Sequence, residues 1–277
     1  MDIKQGVDSV PAGRTFAWEL CDLAVAAARE AADLVRAQRA GGIGHVATKS
    51  TDTDVVTSAD RAAERLITDR LRHARPADRI LGEESGTHAG RSPVNWLVDP
   101  IDGTVNYVYG LGHYGVSIAA QVNGVTVAGV VRDIDSGAQW HAVRGGGAWR
   151  DDRRLTGSAV TDLGVALVAT GFGYQPQRRA RQGAVVAGLL PHIRDIRRFG
   201  SAALDLCLAA EGLVDAFYES GLNTWDFAAG GLIAEEAGLR VTGLAGAPAG
   251  ADMVLAAPPA LYGPLHERLA ALDAAAG

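Results

Sequence analysis

Acidic residues follow short apolar stretches at separated points of the chain. Glu83 and Glu84 come directly after one such stretch, and Asp99 and Asp102 frame a proline-containing turn after another. Much later, Asp226 stands at the beginning of an apolar segment with a helical pattern. Because functional sites of sheet proteins form at the carboxyl ends of strands, these acids are candidates for one shared site.

Carboxylates brought together in this way would repel one another strongly. If Glu83, Asp99, Asp102 and Asp226 converge, each close pair at about 4 Å costs roughly 4 kcal/mol at an effective dielectric constant of about 20. No basic residue adjoins these acids in the sequence. Divalent cations would relieve the repulsion, and ligand sets made only of oxygen favour Mg²⁺ over Zn²⁺. The peptide carbonyl of Ile101 is a further candidate ligand.

The spacing of Asp99 and Asp102 suits a pair of metal ions. Pro100 restricts the backbone between the two acids, and Gly103 permits a close approach of the chain. Two neighbouring ions stabilise the attacking and leaving oxygens of an in-line displacement, which is the chemistry of phosphate ester hydrolysis. A helix that begins after Gly103, at Thr104, would add backbone N–H donors for phosphate oxygens.

Each acidic group also has a purely structural interpretation. Glu83 and Glu84 are compatible with a solvated turn, and Asp102 with the N-cap of the helix that follows Gly103. Asp226 falls in the first turn of its helix, where the helix dipole stabilises a carboxylate. Taken singly, each group leaves both interpretations open.

Other common catalytic arrangements are missing from the sequence. It contains no Gly-x-x-x-x-Gly-Lys phosphate-binding loop, no Gly-x-Gly-x-x-Gly turn in a strand-to-helix context and no Gly-x-Ser-x-Gly nucleophile motif. The seven histidines are scattered without His-x-x-x-His spacing, which argues against a zinc site. Carboxylates and backbone groups are therefore the chemical resource that the sequence offers.

The composition is that of a globular protein of 277 residues with a net charge of −6. This acidity argues against nucleic acid as a partner. Cys21 and Cys207 lie far apart without a Cys-x-x-Cys pair, which favours a reducing compartment. Because no signal-peptide pattern and no apolar run of about 18 residues occurs, we expect a cytoplasmic location without a membrane partner.

Helical and strand patterns alternate along the chain without an internal repeat. Helices are predicted over residues 15–40, 59–74, 180–190, 202–212, 225–238 and 259–274. Strands are predicted over 80–82, 94–98, 115–121, 125–132, 139–143, 148–150, 165–170, 195–199, 216–219, 240–242 and 253–256. A polar loop is predicted over 45–57. This mixture indicates an α/β or α+β protein with a single domain over 1–277, in which 1–13 form a flexible tail.

Two longer segments resemble the signature sequences of the inositol monophosphatase family. WLVDPIDGTVNYVYG (96–110) is similar to the first signature, with Tyr107 in place of phenylalanine, and NTWDFAAGGLIAEEAG (223–238) is similar to the second. Further family segments are matched, in the same order, by VTSAD (56–60), GEES (82–85) and GSAALDLC (200–207) with Glu219. The resemblance extends over about residues 49–238.

This resemblance implies an α+β fold built as a layered αβαβα sandwich, usually as a homodimer. It implies a Mg²⁺-dependent, lithium-sensitive phosphatase that hydrolyses inositol 1-phosphate with two or three bound ions. Glu83, Asp99 and the Ile101 carbonyl would bind the first metal. Asp99, Asp102 and Asp226 would bind the second, and Glu83 would help to hold a weaker third.

The resemblance also implies catalytic and substrate-binding roles. Thr104, polarised by Asp60, would activate the nucleophilic water together with Glu83, and Glu84 would stand behind the metal ligands. Substrate contacts would come from Lys49, Glu83, Ile101, Asp102, Gly103, Thr104, Arg197, Ser201, Ala202, Glu219 and Asp226. Glu219 favours a polyol substrate, because a carboxylate accepts hydrogen bonds from ring hydroxyls.

Two alternatives to inositol 1-phosphate hydrolysis stay open. The same chemistry fits histidinol phosphate, fructose 1,6-bisphosphate or a 3′-phosphoadenosine nucleotide. A protein of another class, which keeps the fold as a regulatory binding module, also remains possible.

Overall fold

The described part of the chain contains seven α-helices. The structure is a computed structural model that describes residues 16–43, 45–49, 51 and 55–275. The tail predicted over 1–13 therefore lies outside the described residues. The helices are α1 (Phe16–Ala40), α2 (Ser58–Ala74), α3 (Thr104–Tyr109), α4 (Pro176–Leu189), α5 (Ala202–Glu211), α6 (Thr224–Glu236) and α7 (Pro259–Ala271). None of these described helices is both long and apolar enough to cross a membrane.

Fifteen strands accompany the helices in the same described residues. The first ten are β1 (Val46–Thr48), β2 (Val55–Thr57), β3 (Arg79–Gly82), β4 (Gly86–His88), β5 (Val94–Asp102), β6 (Gly115–Val122), β7 (Val125–Asp133), β8 (Gln139–Val143), β9 (Gly147–Arg150) and β10 (Arg153–Arg154). The others are β11 (Leu167–Thr170), β12 (Asp195–Arg197), β13 (Ala216–Glu219), β14 (Arg240–Thr242) and β15 (Val254–Ala257).

The strands form two large sheets and a short hairpin. An eight-stranded sheet has the order β10-β9-β8-β7-β6-β5-β3-β4, in which only β3 and β5 pair in parallel. A five-stranded sheet has the order β12-β11-β13-β15-β14, with β11 parallel to both of its neighbours. Strands β1 and β2 pair with each other.

The two sheets and their helices stack in five layers. Helices α1 and α2 pack on one face of the eight-stranded sheet, and α5 and α6 fill the space between the two sheets. Helices α4 and α7 share a core with the outer face of the five-stranded sheet. This arrangement confirms the α+β class and the αβαβα sandwich that the resemblance implies.

Helix α6 is apolar on all sides because it lies between the two sheets. Residues 228–234 are buried throughout, as expected for a helix covered on both faces. Small residues let its backbone approach its neighbours closely. A Cβ atom on Gly129 of β7 would lie 2.9 Å from the Cα of Ala229, and one on Gly230 would lie 2.8 Å from Leu206 of α5. The position of α6 is therefore fixed by glycines on both sides.

Several predicted boundaries were wrong. The polar loop predicted over 45–57 contains β1 and β2, and β4 was not predicted at all. Strand β5 does not end before Asp99 but continues to Asp102. Helix α4 begins at Pro176, because proline at the first helical position needs no N–H partner. In the strand predicted over 165–170, Val165 belongs to a 3₁₀ turn and β11 starts at Leu167.

We expect Gly129→Val to destabilise the protein by about 1–3 kcal/mol, because the added side chain would force α6 away from β7. Urea denaturation measures this change in the free energy of unfolding. Gly183→Ala is the matched control, since a Cβ atom at this position on α4 meets no atom within 4 Å. Alanine there should leave the stability unchanged or raise it by up to about 1 kcal/mol. Equal stability of the Gly129 variant and the wild type would contradict the close packing of α6.

Candidate active site

A cavity of about 510 Å³ opens where β3, β5 and β13 end and where α3, α5 and α6 begin. The predicted site residues that line it are Lys49, Glu83, Asp99, Ile101, Asp102, Gly103, Thr104, Ala202, Glu219 and Asp226. Acids that are separated by up to 143 positions along the chain thus share one cavity (83 to 226). The convergence that the spacing of the acids suggested is present in the fold.

A bulge near the end of β5 separates Asp99 from Asp102. Asp99 pairs with Ser117 and Asp102 with Gly115, so β5 has one more residue here than β6. Pro100 is tolerated because it lies in the bulge, where no ladder hydrogen bond is needed. Asp99 is buried, and its Oδ1 accepts a hydrogen bond of 3.0 Å from the Ile101 N–H. The bulge directs both acids and the Ile101 peptide to the cavity.

Asp102 caps helix α5, not helix α3. Its Oδ2 accepts hydrogen bonds of 2.7 Å from the Ser201 hydroxyl and from the Ala203 N–H. Helix α3 is preceded instead by Gly103, whose φ of 95° provides the turn without a side-chain cap. The predicted substrate residue Ser201 is buried and is not among the residues that line the cavity, but its hydroxyl donates to Asp102, which is.

Asp226 lies in the first turn of α6, as its structural interpretation requires. Its Oδ2 accepts a hydrogen bond of 2.7 Å from the Asn223 N–H, which completes a capping box. Since the same carboxylate also lines the cavity, the structural and functional interpretations hold together.

Glu83 and Glu84 share the ammonium group of Lys49. The Lys49 Nζ donates to Glu83 Oε1 at 2.8 Å and also to Glu84 Oε1. Burial acts to lower the pKa of Lys49, but the two carboxylates raise it overall. Glu84 itself does not line the cavity, and burial raises its pKa to about 7.

Glu64 of α2 holds the turn that carries Glu84, and sequence analysis missed it. Its carboxylate accepts hydrogen bonds from the backbone N–H groups of Glu84 at 2.8 Å and Ser85 at 2.7 Å. A Cβ atom on Gly82 would lie 2.5 Å from this carboxylate, so only glycine fits there. Glu64 could have been found, because it lies four residues after Asp60 on the same face of a predicted helix.

Asp60 divides its two carboxylate oxygens between a helix cap and Thr104. Oδ2 accepts the Thr57 N–H at 2.8 Å in the capping box of α2, and Oδ1 is 3.1 Å from the Thr104 hydroxyl. The same hydroxyl is 3.0 Å from the Ile101 carbonyl. Burial raises the pKa of Asp60, but an ionised acceptor forms the stronger hydrogen bond, so ionised Asp60 is the favoured acceptor of the Thr104 proton.

Burial and mutual repulsion disfavour full ionisation of the carboxylate cluster. Burial, followed by the charges of Glu83, Asp102 and Asp226, raises the pKa of Asp99 well above its ordinary value. Burial raises the pKa of Asp226 in the same way and that of Asp102 to about 7. Burial also raises the pKa of Glu219 well above its ordinary value. The cluster therefore needs positive charge in order to ionise.

The donor chemistry of this cluster fits divalent cations that prefer oxygen. In the part of the chain that the structure describes, no three His, Cys, Asp or Glu side chains already stand as a group able to hold a metal ion. Lys49 is bound to Glu83, and one oxygen each of Asp102 and Asp226 is engaged in a helix cap. The second oxygen of Asp102 and of Asp226, together with Glu83, Asp99 and the Ile101 carbonyl, would supply the oxygen donors that such a cation prefers.

Arg197 is not brought to the cavity, and its neighbour Arg198 lines it instead. The Arg197 guanidinium donates to the Asp195 carboxylate at 2.6 Å and to the Ile196 carbonyl at 2.7 Å. Arg197 ends strand β12 and Arg198 begins the loop that follows, and the sequence gave no signal to decide which of the two faces the site. Arg178 and residues 171–175 also line the cavity and were missed, because the loop at 171–175 and the first turn of α4 after it carry no recognisable motif.

A sequence model described as the inositol monophosphatase family matches residues 18–275. The chain belongs to this family. It is 48 % identical over 254 residues to an inositol-1-monophosphatase of Mycobacterium leprae (84 % of this chain and 87 % of that protein). It is 40 % identical over 229 residues to a protein of Escherichia coli K12 named Nus factor SuhB (82 % and 86 %).

Solved structures of related proteins have the same fold. Mycobacterium tuberculosis SuhB superposes with a TM-score of 0.79 at 44 % identity, covering 92 % of this chain and 97 % of that one. An IMPase of Thermotoga maritima superposes with a TM-score of 0.85 at 29 % identity, covering 94 % and 100 %. These comparisons agree with the family assignment and with the layered fold.

Added Mg²⁺ should raise the melting temperature more at pH 8 than at pH 5.5. The pKa of Asp102 is higher in the folded chain than in the unfolded chain, so its protonation stabilises the fold at low pH. This stabilisation is lost as the pH rises through about 7, and a divalent cation would then offset the repulsion. Thermal denaturation with MgCl₂, against KCl at equal ionic strength, measures the increment. An increment of equal size at both pH values would contradict this account of the cluster.

Proposed function

We propose that this family member is a Mg²⁺-dependent phosphomonoesterase that hydrolyses inositol 1-phosphate to inositol and phosphate. The observation that carries the proposal is the meeting of Glu83, Asp99, Asp102 and Asp226 in one cavity beside Thr104. The inositol-1-monophosphatases among its relatives, at 47–48 % identity, support the same substrate. A single domain and a homodimer are part of the proposal by resemblance to the family.

The cation sites would use the residues that the resemblance implies. Glu83, Asp99 and the Ile101 carbonyl would form one site, Asp99, Asp102 and Asp226 a second, and Glu83 would take part in a weaker third. Bound Mg²⁺ supplies charge that stabilises phosphate oxygens and lowers the pKa of a coordinated water.

Within the chain itself, Thr104 and Asp60 would prepare the nucleophile. Because Thr104 donates its hydroxyl proton to Asp60, its lone pairs remain free to accept a hydrogen bond from a water molecule. Glu83 would accept a second hydrogen bond from that water, and the two contacts would orient it for attack on phosphorus. The short helix α3 would place its first N–H groups near the phosphate oxygens.

The alcohol part of the substrate would lie against Glu219 and Ala202. The Glu219 carboxylate has space because residue 171 is glycine, where a Cβ atom would lie 2.1 Å from Glu219 Oε2. A buried carboxylate at this position would accept hydrogen bonds from ring hydroxyls. Lys49 and Gly103 would lie at the phosphate end of the same cavity.

A second candidate function is a regulatory one, carried by contacts with another protein. It is favoured by the 40–41 % identity to relatives named Nus factor SuhB. A stoichiometric partner that binds the wild type and an Asp99→Asn variant equally well would support this function. Failure to find such a partner in pull-downs with both proteins would count against it.

We expect Asp99→Asn to lower phosphate release from inositol 1-phosphate by about 100-fold or more, because it removes a charged ligand shared by two cation sites. Asp152→Asn, in the exposed turn between β9 and β10, is the matched control and should retain wild-type kinetics. The assay compares kcat/KM for inositol 1-phosphate, histidinol phosphate, fructose 1,6-bisphosphate and a 3′-phosphoadenosine nucleotide, and adding lithium chloride tests the implied sensitivity. Wild-type protein that releases no phosphate from any of them with Mg²⁺ would refute the proposal.

Thr104→Val should reduce kcat by a factor on the order of 100, since the hydroxyl that positions the water is lost while the side-chain shape is kept. Thr104→Ser keeps the hydroxyl and should retain most of the activity. Steady-state kinetics of both variants, with melting temperatures to confirm folding, separate the two cases. Equal kcat values for the valine and serine variants would show that Thr104 has only a structural role.

A further inference from the structure

We propose that Arg178 and Arg198 form a second anion-binding site in the active-site cavity, beside residues 172–173 and 221. This site would favour phosphorylated polyols that carry an additional phosphate or carboxylate group. The inference rests on the proposed phosphatase function and names the substrate class within it.

Arg178, near the start of α4, lines the cavity and is half-buried. Among the described residues its side chain makes no hydrogen bond and no ion pair, and its guanidinium carries five N–H donors. A partly buried guanidinium of this kind forms strong, often bidentate bonds with carboxylates and phosphates. Its donors are therefore available for a ligand in the cavity.

Two glycines make room for the Arg178 side chain along the cavity wall. A Cβ atom on Gly221 would lie 2.3 Å from Arg178 Nη1, and one on Gly173 would lie 2.8 Å from its Cδ. Gly221 also has a φ of 91°, which side chains rarely adopt. A side chain at either Gly173 or Gly221 would therefore collide with the Arg178 side chain in its present position.

Arg198 lines the same cavity from the loop that precedes α5, next to Phe172. Its guanidinium carbon is 5.9 Å from the centre of the Phe172 ring, and a Cβ atom on Gly200 would lie 2.7 Å from its Nη1. The charge of Arg198 lowers the pKa of Glu219 and Asp205, although burial raises both overall. The charge of Arg198 therefore stabilises the Glu219 carboxylate and is also available to a ligand in the cavity. The Arg178 side chain has no ion-pair partner among the described residues.

The cationic groups that line the cavity differ in their partners. Lys49 is paired with Glu83 and Glu84, so its charge is already engaged. Arg178 and Arg198 line the same cavity, and the charge of Arg198 acts on Glu219. A substrate with its scissile phosphate at the carboxylate cluster would place a remote anion at the two arginines. A substrate without such a remote anion would leave the Arg178 guanidinium without an anionic partner.

Two matched pairs of substrates test this site. Fructose 1,6-bisphosphate is compared with fructose 1-phosphate, and glucuronic acid 1-phosphate with glucose 1-phosphate, by release of the C1 phosphate with Mg²⁺. We expect kcat/KM to be higher for the doubly anionic member by about tenfold or more, because a hydrogen bond with a charged group strengthens binding by about this factor. A preference in only one pair would identify the remote anion as phosphate or as carboxylate.

Variants decide whether the two arginines cause the preference. Arg178→Gln and the double variant with Arg198→Gln should bring the ratio within each pair close to one. Hydrolysis of inositol 1-phosphate should change little in Arg178→Gln, whereas the double variant is compared only by its ratios, because Arg198 also acts on Glu219. Arg179→Gln is the matched control, because Arg179 is the exposed neighbour on α4 and does not line the cavity. Melting temperatures confirm that each variant is folded.

The outcomes separate this inference from the function on which it rests. Equal kcat/KM values within both pairs, or a preference that survives in the double variant, would overturn the second anion site and leave the phosphatase proposal intact. No phosphate release from inositol 1-phosphate or from any of the four probes would overturn both.

Discussion

Repulsion among buried carboxylates is the constraint on which the site depends. Glu83, Asp99, Asp102 and Asp226 share a cavity, and burial raises the pKa of the three aspartates. Such a cluster is unfavourable in isolation, because each charge loses hydration and faces like charges. The fold keeps the acids together because they are fixed to its framework and not free to turn away. The result is a site whose affinity for cations is set by the protein scaffold.

The framework consists of helix ends. Asp60, Asp102 and Asp226 cap the first turns of α2, α5 and α6, respectively. Each cap satisfies backbone N–H groups that a helix leaves unpaired, and the positive end of each helix dipole partly compensates the carboxylate. A structural role and a chemical role are thus combined in the same side chains. The close contacts at Gly129 and Gly230 fix the position of α6, and with it the position of Asp226 in its first turn.

The sequence predicted the cluster well because its members lie at strand and helix ends with clear motifs. The acids at 83, 99, 102 and 226, with Thr104 and Asp60, were all identified from the residues or from the family resemblance. The loop at 171–175 and Arg198, which also line the cavity, were not predicted. Arg198 lies just beyond the end of edge strand β12, where tertiary packing decides the direction of a side chain and no local pattern encodes it. The bulge in β5 was missed for the same reason, although Pro100 marks its place.

The double use of Asp60 links helix fraying to the state of the nucleophile. The terminal turn of a helix opens more readily than its interior, and the Asp60 carboxylate stays beside Thr104 only while the first turn of α2 is formed. If Thr104 orients the attacking water, catalytic competence is lost by local melting of one turn, before the sandwich unfolds. The temperature at which turnover declines would then lie below the temperature at which the core melts, and the gap between them would report the stability of a single helix end.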